Sequence, residues 1–203
     1  MLSVEYVLAS PEFKPEQSVS RAAAYDIKAF IAESELPSLL RYISNISNVD
    51  KNQKRLFLNG RPLGDTVRLL CEMYMNRKID ALPNTQNYLV LYPGETKIVN
   101  AGFKVGLSTD QPDKIATMLI CSRSGLACKS SIVVINAPGI IDEHYPDWVG
   151  VGLHNASEDV HIFSHGARIA QAMFLEVCQP KESVVTELSS VGERKGGFGH
   201  TGV

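Results

Sequence analysis

The chain predicts an all-β fold, a jelly-roll barrel or sandwich, with an α-rich insertion and a flexible C-terminal arm. Three observations carry that expectation. Short β-rich segments separated by turn signals dominate most of the 203 residues. The rhythm breaks between about 33 and 87, where apolar residues recur at helical spacing. A polar, Ser-rich stretch then leads into Gly196-Gly197-Phe198-Gly199-His200-Thr201-Gly202, in which four glycines surround one ring. Glycine loses the most backbone freedom on ordering, so such a tail reads as a mobile lid, with a ring to stack on a planar ligand.

Element by element, Val4, Tyr6 and Leu8 predict an N-terminal strand. Leu36, Leu39, Leu40 and Ile43, beside Pro37, predict a helix; Val67, Leu70, Cys71 and Tyr74, after Asp65 or Thr66 as N-cap, predict a second. Between them, Arg55 to Leu58 reads as a short strand ending at the turn pair Asn59-Gly60. Pro93-Gly94-Glu95 marks a turn, and Thr96 to Val105 reads as a hairpin around Asn100-Ala101-Gly102. Lys114 to Cys121 reads as a buried strand. Ile132 to Ile135 and Trp148 to Leu153 read as two strands with a Gly- and Asp-bearing connection, followed by Val160 to Phe163 and Ile169 to Val177. The expected organisation is one β domain over 1–180, interrupted at about 33–87, with 181–203 as linker and lid.

Composition narrows the function classes. Twenty basic and 22 acidic residues give a net charge of −2, which argues against a duplex nucleic-acid binder but leaves room for a nucleotide held by a few convergent donors. No apolar run reaches the length of a membrane span, and the first residues lack the order of a signal peptide, so the expectation is a cytoplasmic protein without a membrane partner. Cys71, Cys121, Cys128 and Cys178 lack CxxC spacing, and the five histidines lack ligand spacing; reduced thiols and no direct metal centre are expected.

Three internal segments can carry chemistry. Ser122-Arg123-Ser124-Gly125-Leu126-Ala127 follows a strand and opens a short helix, where free N–H groups and the Arg123 fork suit an anion. The same residues also fit an ordinary N-cap with a surface arginine. Asn136 to Tyr145 contains Pro138, Gly139, Ile141 and Asp142: a turn able to present backbone groups to a base edge, with a carboxylate at its end able to take a proton from water, or a simple β-turn. Tyr145 could pack on a sugar. In Gly166 to Gln171, Arg168 reads chiefly as a structural ion-pair partner for a carboxylate such as Asp26, and Gln171 as a phosphate donor.

In order, Ala24-Tyr25-Asp26, Ser122 to Ala127, Asn136 to Tyr145, Gly166 to Gln171 and Arg194 to Gly202 resemble the five motifs of the trimeric dUTPase family. The resemblance implies a jelly-roll homotrimer with shared active sites that hydrolyses dUTP to dUMP and pyrophosphate, limiting uracil in DNA and supplying dUMP for thymidylate synthesis. It implies that Asp142 activates the attacking water. Asn136, Gly139 and Ile141 would meet uracil, Tyr145 the deoxyribose, and Phe198 would cap the base from a neighbouring subunit. Arg123, Ser124, Gly125 and Gln171 would hold phosphate oxygens, with Arg194, His200 and Thr201 near the terminal phosphates. Mg²⁺ would ride on the triphosphate and water, with Asp26 at most in its outer shell.

The chain departs from the family pattern at Ala24 and Ala167, and at Glu193, where the fifth motif usually has its arginine; Arg194 or Lys195 would take that role. The insertion is expected on the outer face of the trimer as a surface for a protein partner. Two other readings stay open: a regulator without catalysis, acting through the insertion, and a dCTP deaminase, which would need a glutamate that Gly150 to Asn155 does not offer.

Overall fold

The computed structural model describes residues 1–45, 56–58, 60–62 and 87–188. Strand β1 (Leu2–Leu8) pairs antiparallel with β8 (Phe103–Thr109), from Leu2 opposite Thr109 to Leu8 opposite Phe103. On β8, Phe103, Val105 and Leu107 alternate inward, as period-2 side-chain geometry requires. A five-stranded sheet runs β11 (Gly139–Asp142), β9 (Lys114–Ser122), β14 (Arg168–Cys178), β3 (Tyr25–Lys28), β2 (Glu16–Gln17), all antiparallel. A three-stranded sheet orders β10 (Ile132–Val134), β12 (Gly150–Asn155), β7 (Thr96–Asn100). The fourth places β5 (Arg61–Pro62), β4 (Leu56–Leu58), β13 (Val160–Ser164) and β6 (Tyr88–Leu91) side by side. Phe103, Val151, Leu153, Phe163 and Ile169 lie at the centre of one core between the sheets, each at most 1% exposed. The architecture is the expected jelly-roll type, and the sheets do not close into a barrel.

The expected strands fall where the sequence places them, β2, β3, β5, β6 and β11 are additions, and one pairing is corrected. Asn100 to Gly102 does turn the chain: the Asn100 side chain accepts a hydrogen bond from the Gly102 N–H at 2.7 Å, and Gly102 has φ +76°. The segments on either side do not form a hairpin. Strand β7 pairs with β12 and β8 pairs with β1, so the turn carries the chain from one sheet to another. In the same way β10 and β12 pair, but their connection contains a strand of its own, β11, which pairs with β9 in a different sheet.

The insertion is also tied in more closely than its pattern implies. Helix α1 (Leu36–Asn45) forms as expected, with Leu39 3% exposed. Its start is fixed by Glu35, whose N–H donates to the Tyr88 carbonyl at 2.7 Å and whose carboxylate accepts from the Val90 N–H at 2.9 Å and the Lys97 ammonium at 2.7 Å. Strand β4 pairs parallel with β13, Phe57 opposite His161. The insertion therefore contributes a strand to a host sheet rather than only decorating it. Strand β6, wholly buried, lies at the boundary where the sequence reading stopped the insertion at Asn87; the sequence gives four apolar residues without alternation there, a pattern of a strand buried on both faces. The expected second helix, Val67 to Tyr74, lies outside the described residues.

Candidate active site

Three of the singled-out segments converge at one end of the five-stranded sheet. Gln171 on β14 lies between Asp26 on β3 and Cys121 on β9, and Ala170 lies opposite Ser122. Strand β9 hands the chain to Arg123 and then to α2 (Ser124–Ser130), a two-turn helix that ends at Ser131 in the left-handed region, φ 53°. Ser124 and Gly125 are exposed at its start. Ser122 is held inward, its hydroxyl accepting from the Val134 N–H at 2.8 Å.

Asp26 organises this end. Its side chain is 6% exposed, with Oδ1 accepting from Arg123 Nε at 3.0 Å and Oδ2 from Arg168 Nη1 at 3.0 Å. Arg123 Nη1 donates to the Arg168 carbonyl at 3.2 Å, so two strands and a helix start are clasped through one carboxylate. The expected Arg168–Asp26 pair is present, and the Arg123 contact is an addition that sequence spacing could not reveal. Among the described residues Arg123 Nη2 has no partner and remains available to an anion.

The second part is the Asn136–Tyr145 segment. The Ala137–Pro138 peptide is cis, and β11 begins directly after it. Burial alternates along β11: Gly139 and Ile141 face the core, Ile140 and Asp142 face out. Gly139 is where the Asn136 side chain approaches, since a Cβ there would stand 3.3 Å from Asn136 Nδ2 and 3.5 Å from Ile120 Cβ. Thr117 donates its hydroxyl to the Ile141 carbonyl at 3.0 Å. Where the ladder ends, the Glu143 carboxylate takes over and accepts the Ala116 N–H at 2.6 Å. Two adjacent acids are thus treated differently: Glu143 fastens the strand, while the Asp142 carboxylate is exposed and has no hydrogen bond or ion pair among the described residues.

Tyr145 closes the turn, its N–H donating to the Asp142 carbonyl at 3.1 Å. Its phenol donates to the Trp148 carbonyl at 3.1 Å, which fixes the ring half-buried against the core. The ring also lines an open groove of about 550 Å³ with Tyr6, Lys104 and Val105. Burial, and secondarily the neighbouring Tyr25, pushes the Tyr6 phenol up to about 12, so that hydroxyl keeps its proton.

Arg194, Phe198, His200 and Thr201 lie outside the described residues, and residues 181–188 are exposed without regular structure. No helix among the described residues is long and apolar enough to cross a membrane, and none of their His, Cys, Asp and Glu side chains gather into a metal-holding group. Sequence reading missed Thr117, Glu143 and the Trp148 carbonyl as the parts that hold Asp142 and Tyr145 in place. Strand register brings Thr117 and the Ala116 N–H to this segment, and a local turn brings the Trp148 carbonyl to Tyr145.

The dUTPase family profile matches residues 85–202. The deoxyuridine 5′-triphosphate nucleotidohydrolase of Desulfotalea psychrophila is 41% identical over 111 residues, covering 55% of this chain and 71% of that protein. Among solved structures, a mutant of the Staphylococcus bacteriophage 80alpha dUTPase with dUpNHpp superposes with a TM-score of 0.60 at 20% identity, covering 99% of both chains. A mutant dUTPase from phage phi11 of S. aureus, described with a structural Mg(II) ion, gives 0.54 at 17% identity over 93% of this chain and 99% of that one. The matched span contains the turn after β9, the β11 strand with its outward carboxylate, and the start of β14, and by that match the chain belongs to the dUTPase family.

Proposed function

We propose that the protein hydrolyses dUTP to dUMP and pyrophosphate, with Asp142 aiming and deprotonating the attacking water. The observation that carries the reading is the outward carboxylate of Asp142, without a partner among the described residues, on a strand held by Thr117 and by Glu143. Such a carboxylate can accept a proton if the water is held against phosphorus. The water oxygen bonds to the α-phosphorus, its proton passes to Asp142, and the bond to the bridging oxygen of the β-phosphate breaks in line. Phosphoryl transfer of this kind depends on positioning and charge neutralisation more than on covalent chemistry.

The remaining residues take binding roles. Asn136, Ile141 and the backbone at Gly139 meet the uracil edge, in a slot where a Cβ at Gly139 would crowd the Asn136 side chain at 3.3 Å. Tyr145, held by Trp148, lies against the deoxyribose. Arg123 Nη2, Ser124, Gly125 and Gln171 hold phosphate oxygens. Phe198 caps the base from a neighbouring subunit, and Arg194, His200 and Thr201 reach the terminal phosphates.

Mg²⁺ fits this site as an ion carried by the triphosphate and water rather than by a protein cage. Asp26 is already neutralised by two guanidinium groups, which leaves it at most an outer-shell role. Bound there, the ion neutralises charge on the phosphate oxygens. The homotrimer belongs to the same reading; exposed isoleucines on the outer face of the β7-β12-β10 sheet, Ile98 at 84% and Ile135 at 55%, lie against Gly150 and Gly152 and would suit a subunit contact. The 1–180 domain with 181–203 as linker and lid belongs to the same reading.

One assay separates this reading from its competitors. Incubation with Mg²⁺ and dUTP should release pyrophosphate. Ammonia from dCTP would establish a deaminase instead, although β12 carries no carboxylate. Release of neither would leave a regulator that acts through the insertion.

A further inference from the structure

The insertion reaches the turn that the preceding reading assigns to phosphate. Between β4 and β5 stands Gly60, with φ +80°, a conformation that side-chain-bearing residues rarely adopt. Its carbonyl accepts the Ser130 hydroxyl at 3.1 Å. Its α-carbon lies against the inner face of α2, because a Cβ built there would stand 2.5 Å from Leu126 Cδ2 and 3.5 Å from Ser130 Oγ. Leu126 and Ser130 are each 5% exposed, so the insertion's tip covers the buried side of the helix.

Helix α2 is seven residues long, too short to hold its own shape in water, so its neighbours set where it sits. At its front, Arg123 is clasped by Asp26 and the Arg168 carbonyl. Just past its end, the Ser131 carbonyl accepts the Ala156 N–H at 2.9 Å. Along its inner face the neighbour is Gly60. The tip is itself anchored, since β4 pairs with β13 and buried Phe57 stacks on buried His161 with ring centroids 4.6 Å apart and planes at 19°. The insertion is therefore tied to the host sheet through β13 and, at Gly60, to the inner face of the helix that follows Arg123.

We infer that the insertion's tip is part of the triphosphate-binding apparatus, with Gly60 and Ser130 as positioning residues that set the Arg123–Ser124–Gly125 turn for the phosphate chain. The inference rests on the phosphate role proposed above for that turn. It assigns the insertion a task within the reaction, in addition to any surface it offers outward. Because the contact lies behind the turn and away from Asn136, Gly139 and Tyr145, it acts on the phosphate end of the ligand and leaves the nucleoside end alone.

Binding of two ligands to the full chain tests it: the dUTP analogue dUPNHPP, and deoxyuridine, which has no phosphate. In Gly60→Ala and in Ser130→Ala, dUPNHPP affinity should weaken about tenfold while deoxyuridine affinity stays within about twofold of wild type. The KM for dUTP should rise in step. Unchanged affinity for both ligands, or parallel weakening of both, overturns the inference. Should either variant fold poorly, hydrogen exchange on the wild type gives the same answer. By reciprocal linkage dUPNHPP should slow exchange over 56–62 more than deoxyuridine does, and equal exchange with the two ligands overturns the inference. A wild type that binds dUPNHPP no tighter than deoxyuridine removes the phosphate reading of the turn, and this inference with it, before any variant is made.

Discussion

Asp26 and Asp142 are the same residue type in opposite situations. Asp26 is 6% exposed, with both oxygens taken by arginines; Asp142 is exposed and has no partner among the described residues. A carboxylate whose two oxygens are both taken by guanidinium groups is a structural clasp, with little left to offer a metal. A free one, on a strand pinned by Thr117 and by its neighbour Glu143, is rigid in position and open in chemistry. The fold thus devotes one acid to holding one end of the five-stranded sheet together and leaves the other without a partner among the described residues, as the proposed mechanism requires.

Substitutions can break that contrast from either side. The largest expected effect is on catalysis: Asp142→Asn should lower kcat by about 10²-fold or more, with dUPNHPP affinity and melting temperature unchanged. Glu143→Gln, one residue on, should show the reverse pattern, with a lower melting temperature and a far smaller loss of kcat. Next in size, Asp26→Asn should cost about 2 kcal/mol of stability in urea unfolding, since two guanidinium groups lose their counter-charge in a partly exposed setting. An Asp26→Asn variant of wild-type stability would show that the clasp is not what holds the sheet end.

A smaller effect is expected at the floor of the proposed base slot. Gly139→Ala would bring a methyl to 3.3 Å from Asn136 Nδ2. It should raise the KM for dUTP by about fivefold with little change in kcat, as displacement of a ground-state contact requires. Equal loss in kcat would place the glycine's role in the transition state instead.

The mildest prediction concerns the seam between insertion and host. Burial lowers the His161 imidazole from its usual 6.5 to about 4, against a weaker upward pull from Asp159. The folded chain therefore keeps His161 neutral where the unfolded chain protonates. Its contribution is fully present above 6.5 and is lost as the pH falls from 6.5 toward about 4. Melting curves of wild type and His161→Leu across that window should converge at acid pH. Parallel curves would show that the ring does not titrate between the two states.

Much of the β rhythm was legible because alternation and turn residues are local signals. Phe103, Val105 and Leu107 face inward as their spacing requires, and helix α1 forms where Leu36, Leu39, Leu40 and Ile43 recur. The turn at Asn100 to Gly102 was legible too, but not which sheet each flanking strand would join, because partner choice is a long-range property. The same limit hid the parallel pairing of β4 with β13 and the wholly buried β6, whose four apolar residues carry no periodicity to read. At the site, motif order pointed to Asp142, Tyr145 and Arg123. What separates Asp142 from Glu143, and what ties Arg123 to Asp26, is strand register and side-chain reach across the sheet.

The most direct test of the central claim is where oxygen from solvent ends up. Wild-type protein turning over dUTP in H₂¹⁸O with Mg²⁺ should place the label in dUMP alone, since the proposed mechanism has the water aimed by Asp142 attack the α-phosphorus. Label in the pyrophosphate, or its absence from dUMP, would contradict the account.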